Sequence, residues 1–251
     1  MSNYFLGQGK VYIASRDAQG NAKAQRWLGD VSEAKIGLKT DKVDHKESYS
    51  GQRAIAKKLV IGKEASVDLK IMELSRENLA LALYGKSLTI ASGSVTGEVL
   101  PTVLVGERVS LKYLKVSGLV ITDSAATPVV LNASKYTVDP DYGSIVFNDV
   151  AVAVQPFKAA YTHAELENVA VFTAAQPEVF LRYEGINLAE GNTPIVVELY
   201  KVNTEPLKEL ALITTKLAEL DINATVLIDS TKPVSDEMGQ FGRILKPTLL
   251  T

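Results

Sequence analysis

The sequence of 251 residues contains no cysteine, and histidine occurs only twice, at His45 and His163. Without cysteine the chain can form no disulfide, no thiolate nucleophile and no cysteine-bound zinc or iron–sulfur site. A His-Glu-x-x-His metal site is impossible, and a serine–histidine–carboxylate triad would have to use one of the two histidines. We therefore expect no catalytic residue, no metal site and no cofactor, and we expect that the protein is not an enzyme.

The chain also lacks a strong excess of charge of either sign. Lys and Arg together number 27, against 29 Asp and Glu, which gives a formal net charge of −2. Proteins that read DNA are usually basic, so this balance argues against specific nucleic-acid binding. No apolar run approaches the length that crosses a bilayer, and the first residues do not resemble a secretory signal. We expect a protein that folds in a cytoplasm without membrane insertion.

Strand patterns dominate what is present. Residues 33–39 place Ala34, Ile36 and Leu38 on one face and polar residues on the other, and residues 64–72 alternate in the same way. A period of two with one polar face predicts antiparallel strands that are wetted on one side. Similar runs occur at residues 10–15, 178–183, 195–201 and 222–228.

One helix is predicted at residues 75–84. Ser75 is a favourable N-cap, Leu74 and Leu79 have the spacing of a hydrophobic staple, and Gly85 stands where a helix would end. Such a helix could cover the apolar side of the sheet. Residues 205–220 fit a helix and a strand equally well, because their leucines recur at helical spacing while part of the segment alternates.

A charged hairpin is predicted between the two alternating strands, at residues 41–61. Its polar turn, Ser48–Arg53, contains Gly51, and its charges alternate in sign along the chain. The hairpin has too little apolar surface to pack against its own core. It should project into solvent or meet another subunit, although a solvated loop is the commoner outcome for a charged turn.

Residues 91–164 have a different composition, with short apolar runs broken by Gly, Ser, Thr and Pro. Within them, residues 136–147 predict a hairpin whose turn lies at 140–143. We expect a β-rich insertion that packs on a main β domain formed by residues 1–90 and 165–251, and that is not independent of it.

Three stretches together carry a resemblance to a known family: Ser48–Arg53, Gly62–Lys70 and Ser75–Gly85. This order of strand, charged hairpin, second strand and short helix is similar to the major tail tube proteins of long-tailed, siphovirus-like phages. Later stretches are also similar to that family, at residues 183–187, 195–201, 206–210 and 221–229. The resemblance covers residues 1–90 and 165–251.

The resemblance implies a fold, an assembly and partners. The fold would be mainly β, an antiparallel β-sandwich or half-barrel with one packed helix. Six protomers would form a ring, and stacked rings would form the tail tube of the virion, through which DNA passes transiently during ejection. The partners would be other copies of the chain, the tape-measure protein, and the tail terminator and distal tail proteins.

The resemblance also implies roles for two groups of residues. The hairpin would reach the neighbouring ring, and its candidate interaction residues are Asp44, Lys46, Glu47, Tyr49, Gly51, Gln52, Arg53 and Lys57. The polar face of the two flanking strands would line the lumen, and the candidates there are Glu33, Lys35, Asp68 and Lys70.

Two alternatives remain open on the sequence. The first is the tube protein of a contractile tail or of a secretion system, which would follow the same physical logic. The second is a non-catalytic carbohydrate-binding β module with residues 91–164 as the ligand module. Aromatic residues, which line such grooves, make up only 7% of the chain.

Overall fold

The structure is a computed structural model that describes residues 4–247, and within them it is mainly β, with antiparallel sheets and one α-helix. This confirms the predicted fold class. The helix is α1 (Arg76–Ala82). The strands are β1 (Gly7–Ser15), β2 (Arg26–Trp27), β3 (Val31–Lys46), β4 (Ile55–Ile71), β5 (Lys86–Ile90), β6 (Gly93–Val99), β7 (Arg108–Ser110), β8 (Val116–Thr122), β9 (Tyr136–Asp139), β10 (Ser144–Phe147), β11 (Lys158–His163), β12 (Leu166–Ala170), β13 (Glu178–Asn187), β14 (Thr193–Thr204), β15 (Leu220–Val226) and β16 (Gly242–Leu245).

The chain divides into two compact units. Unit 1 takes in the described residues up to Ser87 and those from Val169 onward, and unit 2 is Leu88–Asn168. Strands β5 and β12 pair with each other as a separate two-stranded sheet. Each of these strands contains one of the two positions at which the chain crosses from one unit to the other.

Unit 1 is built on an eight-stranded antiparallel sheet with the order β2-β1-β13-β14-β15-β4-β3, and β16 also pairs with β14. One face of this sheet is apolar because alternate residues of each strand point to it. The core on that face includes Val11 of β1, Leu181 of β13, Leu199 of β14, Ile222 of β15 and Val67 of β4. Strands far apart in the chain thus share one core.

Helix α1 covers this core, at the position that the sequence predicts. The Ser75 side chain caps the helix by accepting a hydrogen bond from the backbone N–H of Asn78 at 3.3 Å. Leu79, Leu81 and Ala82 pack against the sheet. Asn78 is buried, and its side-chain amide donates to the backbone carbonyl of Leu28 at 2.8 Å. This buried bond ties the helix to the segment that precedes β3.

The segment 205–219 forms neither the helix nor the strand that its pattern allows. Leu207 and Leu210 pack against the core, and the Leu207 N–H donates to the carbonyl of Ala82 at 2.7 Å. The recurring leucines are therefore used as separate anchors for an irregular connection between β14 and β15.

Unit 2 has its own core between two three-stranded sheets, β6-β11-β8 and β7-β10-β9. Phe147 of β10 and Phe157 stack at its centre, with ring centroids 5.1 Å apart. The predicted hairpin is confirmed: β9 and β10 pair from Tyr136↔Phe147 to Asp139↔Ser144, and the turn lies at residues 140–143.

Candidate assembly interface

Strands β3 and β4 form one long hairpin, of which only the first half belongs to the sheet. The two strands pair from Val31↔Ile71 out to Lys46↔Ile55. Strand β15 pairs with β4 only as far as Ala65, which is opposite Leu38. Residues 39–64, called the ribbon below, therefore extend as two strands alone. At 3.4 Å per residue the ribbon projects roughly 25 Å beyond the sheet.

Both faces of the ribbon are largely exposed among the residues that the structure describes. Its large aliphatic side chains are between 44% and 67% exposed: Val43, Ile55, Leu59, Val60 and Ile61. The ribbon contains seven Lys and Arg residues against four Asp and Glu, a formal charge of +3, so the rest of the chain carries −5. Cross-strand ion pairs at Lys39–Glu64, 2.9 Å, and Lys58–Asp44, 3.7 Å, leave several of these charges available to a partner.

The tip of the ribbon is organised by one carboxylate. Glu47 accepts hydrogen bonds from the backbone N–H groups of Tyr49 (3.0 Å), Ser50 (2.9 Å) and Ala54 (3.4 Å), and from the Ser50 hydroxyl (2.5 Å). These bonds, first that of the Ser50 hydroxyl, lower the pKa of Glu47 to about 2. Gly51 completes the turn with φ +80°, a conformation that favours glycine.

All eight residues predicted for the hairpin interaction lie on the outer part of the ribbon. Those on strands are Asp44 and Lys46 of β3 and Lys57 of β4, and the others form the tip: Glu47, Tyr49, Gly51, Gln52 and Arg53. The Tyr49 side chain is 88% exposed and is the most prominent apolar group of the tip. Glu47 differs from the rest because its carboxylate bonds to its own turn, so its role in the structure is to shape the tip.

The four residues predicted to line a lumen lie together on the polar face of β3 and β4. Glu33 is opposite Lys70, and Lys35 is opposite Asp68. The Lys35 ammonium lies 2.7 Å from Glu33, and its hydrogen bond lowers the pKa of that carboxyl. Lys70 also lies 3.8 Å from Asp221 of β15. This face carries charges of both signs in contact with each other.

Strand β3 ends the sheet, and its core-facing side is open. Leu38 is 83% exposed and Ile36 is 44% exposed, although both belong to the apolar face whose β4 members, such as Val67, are buried. Alternation in the sequence identifies the face of a residue, but it does not reveal that no strand or helix of the described residues covers that face. This apolar edge therefore cannot be predicted from the alternating pattern of residues 33–39.

An open cleft of about 1200 Å³ lies along the apolar edge. Residues of β3, such as Ala34 and Ile36, line it together with residues of β1, such as Gly9 and Val11. Both end regions of the sheet therefore border one cleft, as expected for a curved half-barrel whose last gap is unfilled.

Two features are absent from residues 4–247, the part of the chain that the structure describes. No group of three or more His, Asp or Glu side chains there could hold a metal ion. No helix in the same range is both long and apolar enough to span a membrane.

Most of the chain is similar to one protein family. A family model described as "Protein of unknown function UCP028589" matches residues 4–245, a range that includes both units. Comparison with curated proteins gave no match.

Proposed function

We propose that this chain, which belongs to the UCP028589 family of proteins of unknown function, is the subunit of the tail tube of a long-tailed, siphovirus-like phage. Its copies would form hexameric rings that stack into a tube, and the tube would conduct DNA during ejection. The protein would act in the virion tail, after assembly in the host cytoplasm. The proposal assigns no catalytic step and no cofactor to the chain.

The observation that carries this proposal is the open end of the sheet in unit 1. Among residues 4–247, strand β3 has an unpaired edge along its 16 residues, an exposed apolar side, and an extension into the ribbon, whose large aliphatic side chains remain exposed. A long exposed edge of this kind is an aggregation hazard in a monomer. An assembly that pairs or covers the edge in every copy removes the hazard.

The two parts of the long hairpin suit two directions of contact. The apolar edge of β3 borders the cleft and would join copies within a ring, where burial of Ile36 and Leu38 would supply affinity. The ribbon, which projects along the strand direction, would reach a copy in the next ring. Its charge of +3 against −5 for the rest of the chain favours contact between different copies.

The polar face of β3 and β4 suits a conduit for DNA. Its four predicted lumen residues carry two positive and two negative charges, and Lys35 lies close to Glu33. A surface with balanced, paired charges binds phosphates weakly, so DNA could slide past it. The tape-measure, terminator and distal tail proteins would be the remaining partners.

The number of copies and the assignment to a phage with a non-contractile tail come from the sequence resemblance. The open edge and the ribbon would equally serve the tube of a contractile tail or of a secretion system.

The test is to purify the chain, concentrate it, and examine it by negative-stain electron microscopy with light scattering in parallel. We expect hollow tubes or rings of uniform width, with the scattering rising above a threshold concentration. A monodisperse monomer at every concentration, including with a crowding polymer that favours association, would contradict the proposal.

A further inference from the structure

The sheet of unit 1 has two ends that differ in what they present. Strand β15 runs from Leu220, which pairs with Ile71, to Val226, which pairs with Ala65 beside the ribbon. Its six residue steps separate the two ends by about 20 Å. We call the end at Val226 the ribbon end and the end at Leu220 the far end.

The far end carries an exposed apolar loop, residues 211–217. Within it, Leu212 is 86% exposed, Ile213 is 97% exposed and Leu217 is 81% exposed. The loop is held in place on both sides, because Leu210 packs against the core and Leu220 is fully buried. Three large aliphatic side chains are thus presented to solvent by a segment whose two anchors are fixed.

The ribbon end carries an apolar groove of about 540 Å³, which we call the ribbon-base groove. It is lined mainly by Val60, Ile61, Val226, Ile228 and Phe241. The groove exists because β15 stops at Val226 while β4 continues into the ribbon. Ile61 lies at a register shift: Asp41 pairs with Gly62 and Lys42 pairs with Val60, so Ile61 has no opposite residue on β3.

We propose that the apolar loop of one copy inserts into the ribbon-base groove of the next copy along the tube. This inference rests on the proposed function, because it assigns the longitudinal contact between stacked copies. The groove falls within the volume range of clefts that enclose small ligands, which is enough space for a few aliphatic side chains. The only charged residues involved are Lys216 in the loop and Lys63 and Glu64 in the groove lining, so the contact is mainly apolar.

The placement of the two features identifies a second copy as the occupant. The loop and the groove lie at opposite ends of one sheet, so a loop cannot fill the groove of its own chain. A contact between two different patches is heterologous, and it repeats from copy to copy instead of closing as a two-fold dimer. The groove is also continuous with the ribbon through Val60 and Ile61, so a copy that meets the ribbon is brought to the groove.

The absence of cysteine allows a direct cross-linking test. One preparation carries Ile213→Cys, and a second, of different mass through a tag, carries Ile228→Cys. The two are mixed, assembled and mildly oxidised, and the products are separated on a non-reducing gel. We expect a band of the disulfide-linked heterodimer of the two proteins, more than tenfold more intense than the band of either disulfide-linked homodimer. The matched control replaces Ile213→Cys with Val152→Cys, an equally exposed position in unit 2, and should give no such band.

A second variant tests the contact between the loop and the groove without cross-linking. Leu212→Ser combined with Ile213→Ser should raise the concentration needed for assembly at least tenfold and leave the melting temperature unchanged, because both side chains are exposed in the single chain. Val152→Ser should change neither quantity.

The outcomes separate this inference from the proposed function. Tubes that form without the mixed band, or that give mainly self-joined bands through Ile213→Cys, would overturn the loop–groove contact and leave the tube proposal standing. Unchanged assembly of the double serine variant would do the same. Failure of the parent chain to form tubes would overturn the proposed function and this inference with it.

Discussion

The two halves of the β3–β4 hairpin share one backbone pattern but differ in what surrounds them. In the inner half, β15 pairs with β4, and Val67, Leu69 and Ile71 are buried in the core of unit 1. In the outer half, the ribbon, the two strands pair with each other and with no third strand of residues 4–247, and Val60 and Ile61 are exposed. The inner half is stabilised by packing, whereas the ribbon is stabilised by cross-strand pairs and by its tip. An isolated two-stranded hairpin is only marginally stable, so the ribbon depends on a partner for rigidity.

The largest expected effect is on the free energy of unfolding, when an aliphatic side chain is truncated in the inner half of the hairpin instead of in the ribbon. Ile71→Ala should lower the free energy of unfolding by about 2–5 kcal/mol, because Ile71 is fully buried. Val60→Ala should change it by less than about 0.5 kcal/mol, because Val60 lies on the uncovered ribbon. Urea unfolding of the unassembled chain measures both. Equal losses would mean that the ribbon is packed in the single chain, contrary to the comparison.

A deletion of most of the ribbon tests what the ribbon contributes to folding and to assembly. Removing residues 42–61 joins Asp41 to Gly62 between the paired residues Thr40 and Lys63. The product is an Asp-Gly two-residue turn, the favoured connection for a β-hairpin. We expect the free energy of unfolding to change by no more than about 1 kcal/mol, because the deleted residues bury little surface. We expect tube formation, followed by electron microscopy, to be lost. Normal tubes from the shortened chain would exclude the ribbon from stacking.

A smaller effect is expected from strain at the tip. Gly51 has φ +80° with open space around it, so Gly51→Val should cost the turn about 1–2 kcal/mol without a clash. We expect light scattering to show assembly at a severalfold higher concentration, and Arg53→Ala, which removes a charged side chain from the tip without adding backbone strain, to act in the same direction. Gly97→Val in unit 2 is the matched control, since Gly97 has φ +73° and equally open surroundings. An equal effect of both substitutions on assembly would assign the loss to general strain.

The smallest expected effect is a loss of hydrogen-exchange protection at the tip of the ribbon at acidic pH. The pKa of Glu47 is lowered to about 2 from an ordinary value of 4.5, so the tip favours the ionised carboxylate. This contribution is fully present above pH 4.5 and is lost as the pH falls towards 2. Hydrogen exchange at the Tyr49 and Ser50 amides should become less protected over that interval, beyond the intrinsic pH dependence of exchange. Glu47→Gln should abolish the change, and Glu64→Gln should preserve it. A pH-independent protection in the parent chain would contradict the role of Glu47.

The sequence predicted the parts of the fold that depend on local chemistry. Ser75 predicted the start of α1 through its capping side chain, and the turn at 140–143 predicted the β9–β10 hairpin. The alternating runs predicted the inner parts of β3 and β4, because one face of a sheet strand must be apolar. These features follow from neighbours in the chain.

What the sequence missed depends on neighbours in space. Nothing in residues 33–39 reveals that β3 ends the sheet and leaves Leu38 exposed. The leucines of segment 205–219 fit a helix, yet Leu207 and Leu210 reach the core from an irregular chain. Among the candidate interface residues, Glu47 bonds within its own turn, and contact of all eight with another subunit stays a prediction.

The pairing of β1 with β13 has a consequence for the order in which the two units fold during translation. Gly7 pairs with Asn187, whereas the most distant pair in the two three-stranded sheets of unit 2 is Gly93 with His163. Contacts between residues far apart in the chain form slowly, and a ribosome releases the chain from its N-terminus. We therefore expect unit 2 to fold while β13–β16 are still being translated, and β1 to wait for its partner. The sheet that carries the open edge is completed only after β14–β16 have been translated, so a growing chain cannot present a finished edge to a tube before that point.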